Sequence, residues 1–149
     1  MKDKNQLAEI TVSYRPAIST KPVVKSAFDA FIALQEFFDE DTLALKEQAV
    51  VLYLNRSSRV IGGYKLATGG IAGTVVDVRL ILSAALATAA TSFILAHNHP
   101  SGSLQPSKAD VEMTTRVKEA ARIMDIVMQD HIIISPYRQY YSFADEGLM

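Results

Sequence analysis

The feature that most constrains this chain is the stretch from Ser92 to Asp110. It runs Ser-Phe-Ile-Leu-Ala-His-Asn-His-Pro-Ser-Gly-Ser-Leu-Gln-Pro-Ser-Lys-Ala-Asp and holds two of the three histidines. An apolar run of this length, stopped by Pro100 and turned by Ser101-Gly102, reads as a buried strand that ends abruptly. Ser107 followed three residues later by Asp110 is a capping pattern that opens a helix. Strand, tight loop and helix are therefore set in succession. Residues i and i+2 of a strand share a face, so a strand persisting through His99 projects His97 and His99 together from its carboxyl end. Asp110, in the first turn of the next helix, can be brought back towards them. Two imidazoles and one carboxylate suit zinc, at about 2.0–2.2 Å, with a fourth position left to water. Ser107 and Asp110 serve equally well as a plain helix cap, and the two uses are compatible: the cap fixes where Asp110 points.

Composition narrows the alternatives. The chain of 149 residues is 49% hydrophobic and 21% charged, which fits a single domain able to bury a core. It has no cysteine, so disulfides, thiolate metal sites and cysteine nucleophiles are excluded, and any metal is held by nitrogen and oxygen. A net charge of −1 argues against a general electrostatic grip on DNA. No stretch approaches the roughly 20 apolar residues of a membrane span, and the first six residues lack a signal-peptide core. A cytoplasmic protein is expected.

The remaining elements follow from pattern. Residues 8–14 alternate apolar and polar and are expected as a strand. Ser26 caps a helix carrying Phe28, Phe31, Ile32, Leu34 and Phe38, expected to pack on a sheet. Asp39-Glu40-Asp41 is a solvated turn, with a short helical segment around 42–46. Residues 49–54 form a strand buried on both faces. Residues 59–68 return as its hairpin partner, where Gly62-Gly63 signals a bulge or a close backbone approach. Gly69, Gly70 and Gly73 make a loop. A helix with Asp77 as N-cap spans about 78–90 and crosses over to the strand at 92–97. The helix from Lys108 to Met124 presents Val111, Thr114, Val117, Ala121 and Met124 to the core. Val127 begins an extended segment, His131 to Ser135 is an apolar strand, and 139–143 closes a final hairpin. This pattern gives an α/β sandwich around one mixed sheet.

His-x-His, seven residues, then Ser-x-x-Asp resembles the motif of the JAB1/MPN/Mov34 (JAMM) metalloenzymes. His97-Asn98-His99-Pro100-Ser101-Gly102 with Pro106-Ser107-x-x-Asp110 resembles the RadC branch. Val50-Val51-Leu52-Tyr53-Leu54-Asn55, Asp130-His131 and Tyr141-Ser142-Phe143-Ala144 extend the likeness over about 44–149. The resemblance implies a three-layer, cytidine-deaminase-like sandwich for 44–149. Residues 1–43 are expected as an extension of strand plus helix packed on that domain. They are too short for the helix-hairpin-helix region that commonly precedes it, and resemble the leader of stand-alone RadC-like proteins.

The resemblance also implies roles. His97, His99 and Asp110 would hold one zinc, with water as fourth ligand. Ser107 would hydrogen-bond the developing oxyanion. A glutamate at the start of an early strand would be the general base, and Glu47 fits by position; an exposed residue leading into the strand is its ordinary alternative. Glu112 lies two residues beyond Asp110 on a helix and so points about 200° away. Ser101 and Ser103 line the loop, either solvated or touching substrate. His131 is expected as a core residue or a support to the ligands rather than a fourth ligand. Arg79 is a surface residue or a substrate contact.

Three functions follow. The leading one is zinc-dependent hydrolysis of a peptide or isopeptide bond in an unidentified protein or peptide substrate. The second is a DNA-associated role in repair, recombination or mobile elements, for which Arg116, Lys118 and Arg122 would have to form a basic face. The third is a non-catalytic interaction module, against which the retained His97, His99, Ser107 and Asp110 speak. A zinc deaminase is disfavoured, because its His-x-Glu and Pro-Cys-x-x-Cys elements are absent.

Overall fold

A computed structural model describes residues 7–16, 21–69 and 76–149. Three helices, α1 (Ala27–Leu34), α2 (Val78–Ala87) and α3 (Lys108–Ile123), accompany five strands. These are β1 (Gln48–Leu54), β2 (Val60–Thr68), β3 (Ser92–Asn98), β4 (Val127–Ile134) and β5 (Tyr140–Ser142). They form one sheet in the order β2-β1-β3-β4-β5. β1 is antiparallel to β2 and β3, β3 is parallel to β4, and β5 returns antiparallel to β4. β1 and β3 lie inside the sheet and are buried along their whole length. That explains why both read as unbroken apolar runs rather than alternating ones.

The sheet has two apolar faces. Val51, Tyr53, Phe93 and Leu95 face α2 and α3, packing on Ile81, Ala85, Val117 and Ala121. Val50, Leu52, Leu54, Ile94 and Ile132 face α1, packing on Ala30, Phe31, Leu34 and Phe38. Helices on both faces make a three-layer α/β sandwich: the mixed sheet is the one expected from the pattern, and the layering is the one the resemblance implies. α1 starts where expected: the Ser26 hydroxyl accepts the Asp29 N–H at 3.1 Å, and Asp29 accepts the Lys25 N–H at 2.9 Å. α2 starts at Asp77, whose carboxylate accepts the Arg79 N–H.

Several expectations are corrected. Residues 8–14 form no strand: 7–16 pair with no ladder, and Leu7 and Ile10 are exposed. Alternation supplies a strand's pattern but not its partner. Phe28 and Ile32 face outward, so the stripe of α1 against the sheet is Ala30-Phe31-Leu34. The helix around 42–46 is only a 3₁₀ turn, Glu40–Thr42, continued by an irregular turn. Val111 and Met124, at the ends of α3, are solvent-facing. The β1–β2 register slips twice, leaving Leu66 and Ile61 without opposing residues. One slip adjoins Gly62, as the glycine pair signals, and a Cβ on Gly63 would lie 2.5 Å from the Phe37 ring. Gly70 and Gly73 fall outside the described residues. Val127 and His131 belong to one strand rather than two.

Candidate metal centre

The β3 ladder continues one residue past its end, since the His99 N–H donates to Ile134 O at 3.0 Å. His97 and His99 therefore leave the same face, at the carboxyl edge of β3, where α/β sheets commonly hold their sites. Their Nε2 atoms are 3.0 Å apart. Asp110 reaches both, with Oδ1 3.3 Å from His97 Nε2 and Oδ2 3.2 Å from His99 Nε2. One donor atom from each of the three lies within 4.8 Å of the others, so the group could hold a metal ion. The three side chains are 4, 13 and 14% exposed, leaving the cluster lined by protein yet reachable.

The helix cap aims the carboxylate. Ser107 Oγ accepts the Asp110 N–H at 3.0 Å, and Asp110 Oδ2 accepts the Ser107 N–H at 2.8 Å. Capping and facing the histidines coexist in one side chain. The cap uses a lone pair of the Ser107 oxygen, so its hydroxyl proton remains to be donated. His99 is oriented from behind by Ser103 O, 2.8 Å from Nδ1. The Ser101 hydroxyl accepts the Ser103 N–H at 3.3 Å. Gly102 carries the turn at φ +84°, its N–H donating to His99 O at 2.9 Å.

Charge is arranged accordingly. The hydrogen bond to Asp110 raises the His99 pKa above its ordinary value, against the opposing effect of burial; the Glu47 charge adds to the rise. Burial by itself works to raise Asp110, but the neighbouring His97 and His99 imidazoles and the Ser107 N–H outweigh it and hold the carboxyl far below the carboxylate range. Asp110 is thus ionised and ready to ligate.

Glu47 sits immediately before β1, half-buried, two residues ahead of Ala49, which pairs with His97. Its place follows from Asn98, the residue between the two histidines. Asn98 points to the other side, is fully buried, and its Oδ1 accepts the Gln48 N–H at 2.6 Å. Its Nδ2 donates to Leu43 O and Lys46 O at 2.8 and 3.0 Å. One side chain therefore ties the chain on either side of Glu47 to β3.

Other candidates lie elsewhere. Glu112 is exposed and 3.8 Å from Lys108. Arg79 is exposed and paired with Asp77 at 3.0 Å. Lys118 and Arg122 line a cleft together with Glu119, and Arg116 is not among its lining residues.

His131 is fully buried behind the cluster, its Nε2 2.7 Å from His97 Nδ1. It reaches that face because the β3–β4 register slips at Gln129: Phe93 pairs with Met128, but Ile94 pairs with Asp130. Sequence alternation could not reveal that slip. Thr114, read only as a core position, contacts the other nitrogen of His131 at 2.5 Å. Its signal was its spacing, one helical turn after Asp110.

The layered sheet, with a His-x-His pair at a strand end and a carboxylate in the next helix cap, defines a JAB/MPN-like fold with a candidate metal centre. The chain belongs to the RadC-like JAB domain family, whose family model matches residues 24–148. It is 46% identical over 125 residues to a UPF0758 protein of Flavobacterium johnsoniae, covering 84% of this chain and 53% of that protein. It is 38% identical over 143 residues to a UPF0758 protein of Porphyromonas gingivalis, covering 96% and 63%. Against the UPF0758 protein YkfG of Escherichia coli, identity is 40% over 124 residues, covering 83% and 78%. The chain thus spans about half to two thirds of the length of the first two relatives. Among the described residues, no helix is long and apolar enough to cross a membrane.

Proposed function

We propose that the chain is a zinc-dependent hydrolase of amide bonds, in a peptide or isopeptide substrate, and that it works in the cytoplasm. The observation carrying this reading is the convergence of His97, His99 and Asp110 donor atoms within 4.8 Å, on a partly open edge beside Glu47 and Ser107. The donor set fits the ion: two imidazole nitrogens and one carboxylate leave a coordination position open, the arrangement of catalytic rather than structural zinc. When bound, zinc would supply Lewis acidity to a carbonyl and make a water acidic near neutral pH.

The chain's own residues do the rest. Glu47 takes a proton from the attacking water as its oxygen bonds to the carbonyl carbon, and returns that proton to the leaving nitrogen as the C–N bond breaks. Ser107 donates its hydroxyl proton as a hydrogen bond to the carbonyl oxygen as negative charge gathers there. Asn98 ties the segment carrying Glu47 to β3, the strand that carries the histidines.

Glu47→Gln tests the assignment. It should keep bound zinc while hydrolysis of a peptide library falls by about 10²–10⁴-fold. Loss of zinc, or unchanged turnover, would reject Glu47 as base. A DNA-associated role draws no support from the charge distribution, since the net charge is −1 and the cationic cleft on α3 includes Glu119.

A further inference from the structure

We propose that Thr114 is a positioning residue that determines, through His131, which nitrogen of His97 carries the proton and so whether the nitrogen facing the metal is free to ligate. The inference rests on reading His97, His99 and Asp110 as zinc ligands. Four groups stand in an unbroken buried row: Asp110 O, Thr114 Oγ1, His131 and His97. Thr114 Oγ1 is 2.8 Å from Asp110 O and 2.5 Å from His131 Nδ1, and His131 Nε2 is 2.7 Å from His97 Nδ1. Phe143 stacks on the His131 ring at 4.5 Å and 18°, fixing its plane.

The direction of the row follows from the chemistry of its first member. A carbonyl only accepts, so its hydrogen bond takes the single proton of the Thr114 hydroxyl. Thr114 oxygen can then only accept from His131, which places the His131 proton on Nδ1. His131 Nε2 is left with a lone pair and accepts from His97 Nδ1–H. His97 is thereby held with a bare Nε2 turned towards His99 and Asp110, the form a metal ligand needs. Because the row begins on the backbone carbonyl of Asp110, the third ligand is tied into the same arrangement. Without the hydroxyl, the row can reverse. His131 would donate from Nε2 to His97 Nδ1, and the His97 proton would move to Nε2, where Asp110 Oδ1 waits at 3.3 Å. That form cannot ligate.

The test compares wild type with Thr114→Val, which keeps the side-chain shape without the hydroxyl, and Thr114→Ser, which restores it. Long-range ¹H–¹⁵N correlation of the imidazoles in metal-free protein reads the tautomer, and competition with a chelator reads zinc affinity. In wild type and Thr114→Ser, His131 should carry its proton on Nδ1. In Thr114→Val it should move to Nε2, and zinc affinity should fall by about 10- to 100-fold. Thr114→Val with wild-type zinc affinity would overturn the proposal, as would a wild-type His131 protonated on Nε2 or on both nitrogens. A wild-type chain that binds no zinc would overturn the metal reading and with it the positioning role. The tautomer would then still decide the order of the hydrogen-bond row. A Thr114→Val protein that does not fold is replaced by His131→Gln, whose amide oxygen can accept from His97. That variant should keep more zinc affinity than His131→Leu, and equal affinities would again overturn the proposal.

Discussion

At the scale of residues, the centre is a set of paired charges and ordered hydrogen bonds, which gives it opposite pH responses with and without metal. His99 has a folded-state pKa raised by Asp110. In metal-free protein its contribution to stability is fully present below the unfolded value of about 6.5 and is lost as pH rises through the raised folded value. Zinc binds only the deprotonated ring, so the stabilisation that zinc adds should grow over that same interval. Thermal unfolding from pH 6 to 8, with a chelator and with excess zinc, should show the gap between the two curves widening with pH. Parallel curves would show that His99 does not ligate. Asn98 makes a separate point. Removing its side chain strands the Gln48 N–H and the Leu43 and Lys46 carbonyls. Asn98→Ala should therefore cost about 1–3 kcal/mol in denaturant unfolding, with the slope unchanged; no loss would mean that these groups find other partners.

At the scale of elements, the site is the junction of β3 and α3, and its precision comes from the loop between them. Gly102 is the demanding position, at φ +84° with the Tyr137 ring 2.6 Å from where a Cβ would be. Gly102→Ala should destabilise by about 1–2 kcal/mol from the backbone conformation alone. Adding Tyr137→Ala should recover the steric part only, and full recovery would show that the backbone carries no strain. Much of this junction could be read from residues 92–110. Pro100 ends the strand, Gly102 turns it, and Ser107-x-x-Asp110 starts the helix. The supporting layer was less legible. His131 was visible as a buried histidine, but its face depends on the slip at Gln129, which no pattern announces. The strand expected at 8–14 failed for a related reason, because pairing is a property of neighbours that alternation does not specify.

At the scale of the molecule, the helices on both faces leave the carboxyl edge of β3 and β4 as the place where polar side chains emerge from an apolar sheet. Two crossovers, through α2 and α3, put their helices on the histidine side, and α1 seals the other. The fold class was readable from the order of elements. The place of Glu47, the proposed base, was less so, because it lies fifty residues from His97 in sequence and is set by the β1–β3 register and by Asn98. Whether this edge binds a metal decides the function of the molecule. Zinc should be measured by elemental analysis after exchange against zinc-buffered solution, in wild type beside His99→Ala and Asp110→Asn. Wild type should hold one zinc per chain and either variant little, all three remaining folded. Equal zinc content in all three would mean that His97, His99 and Asp110 do not form a metal site.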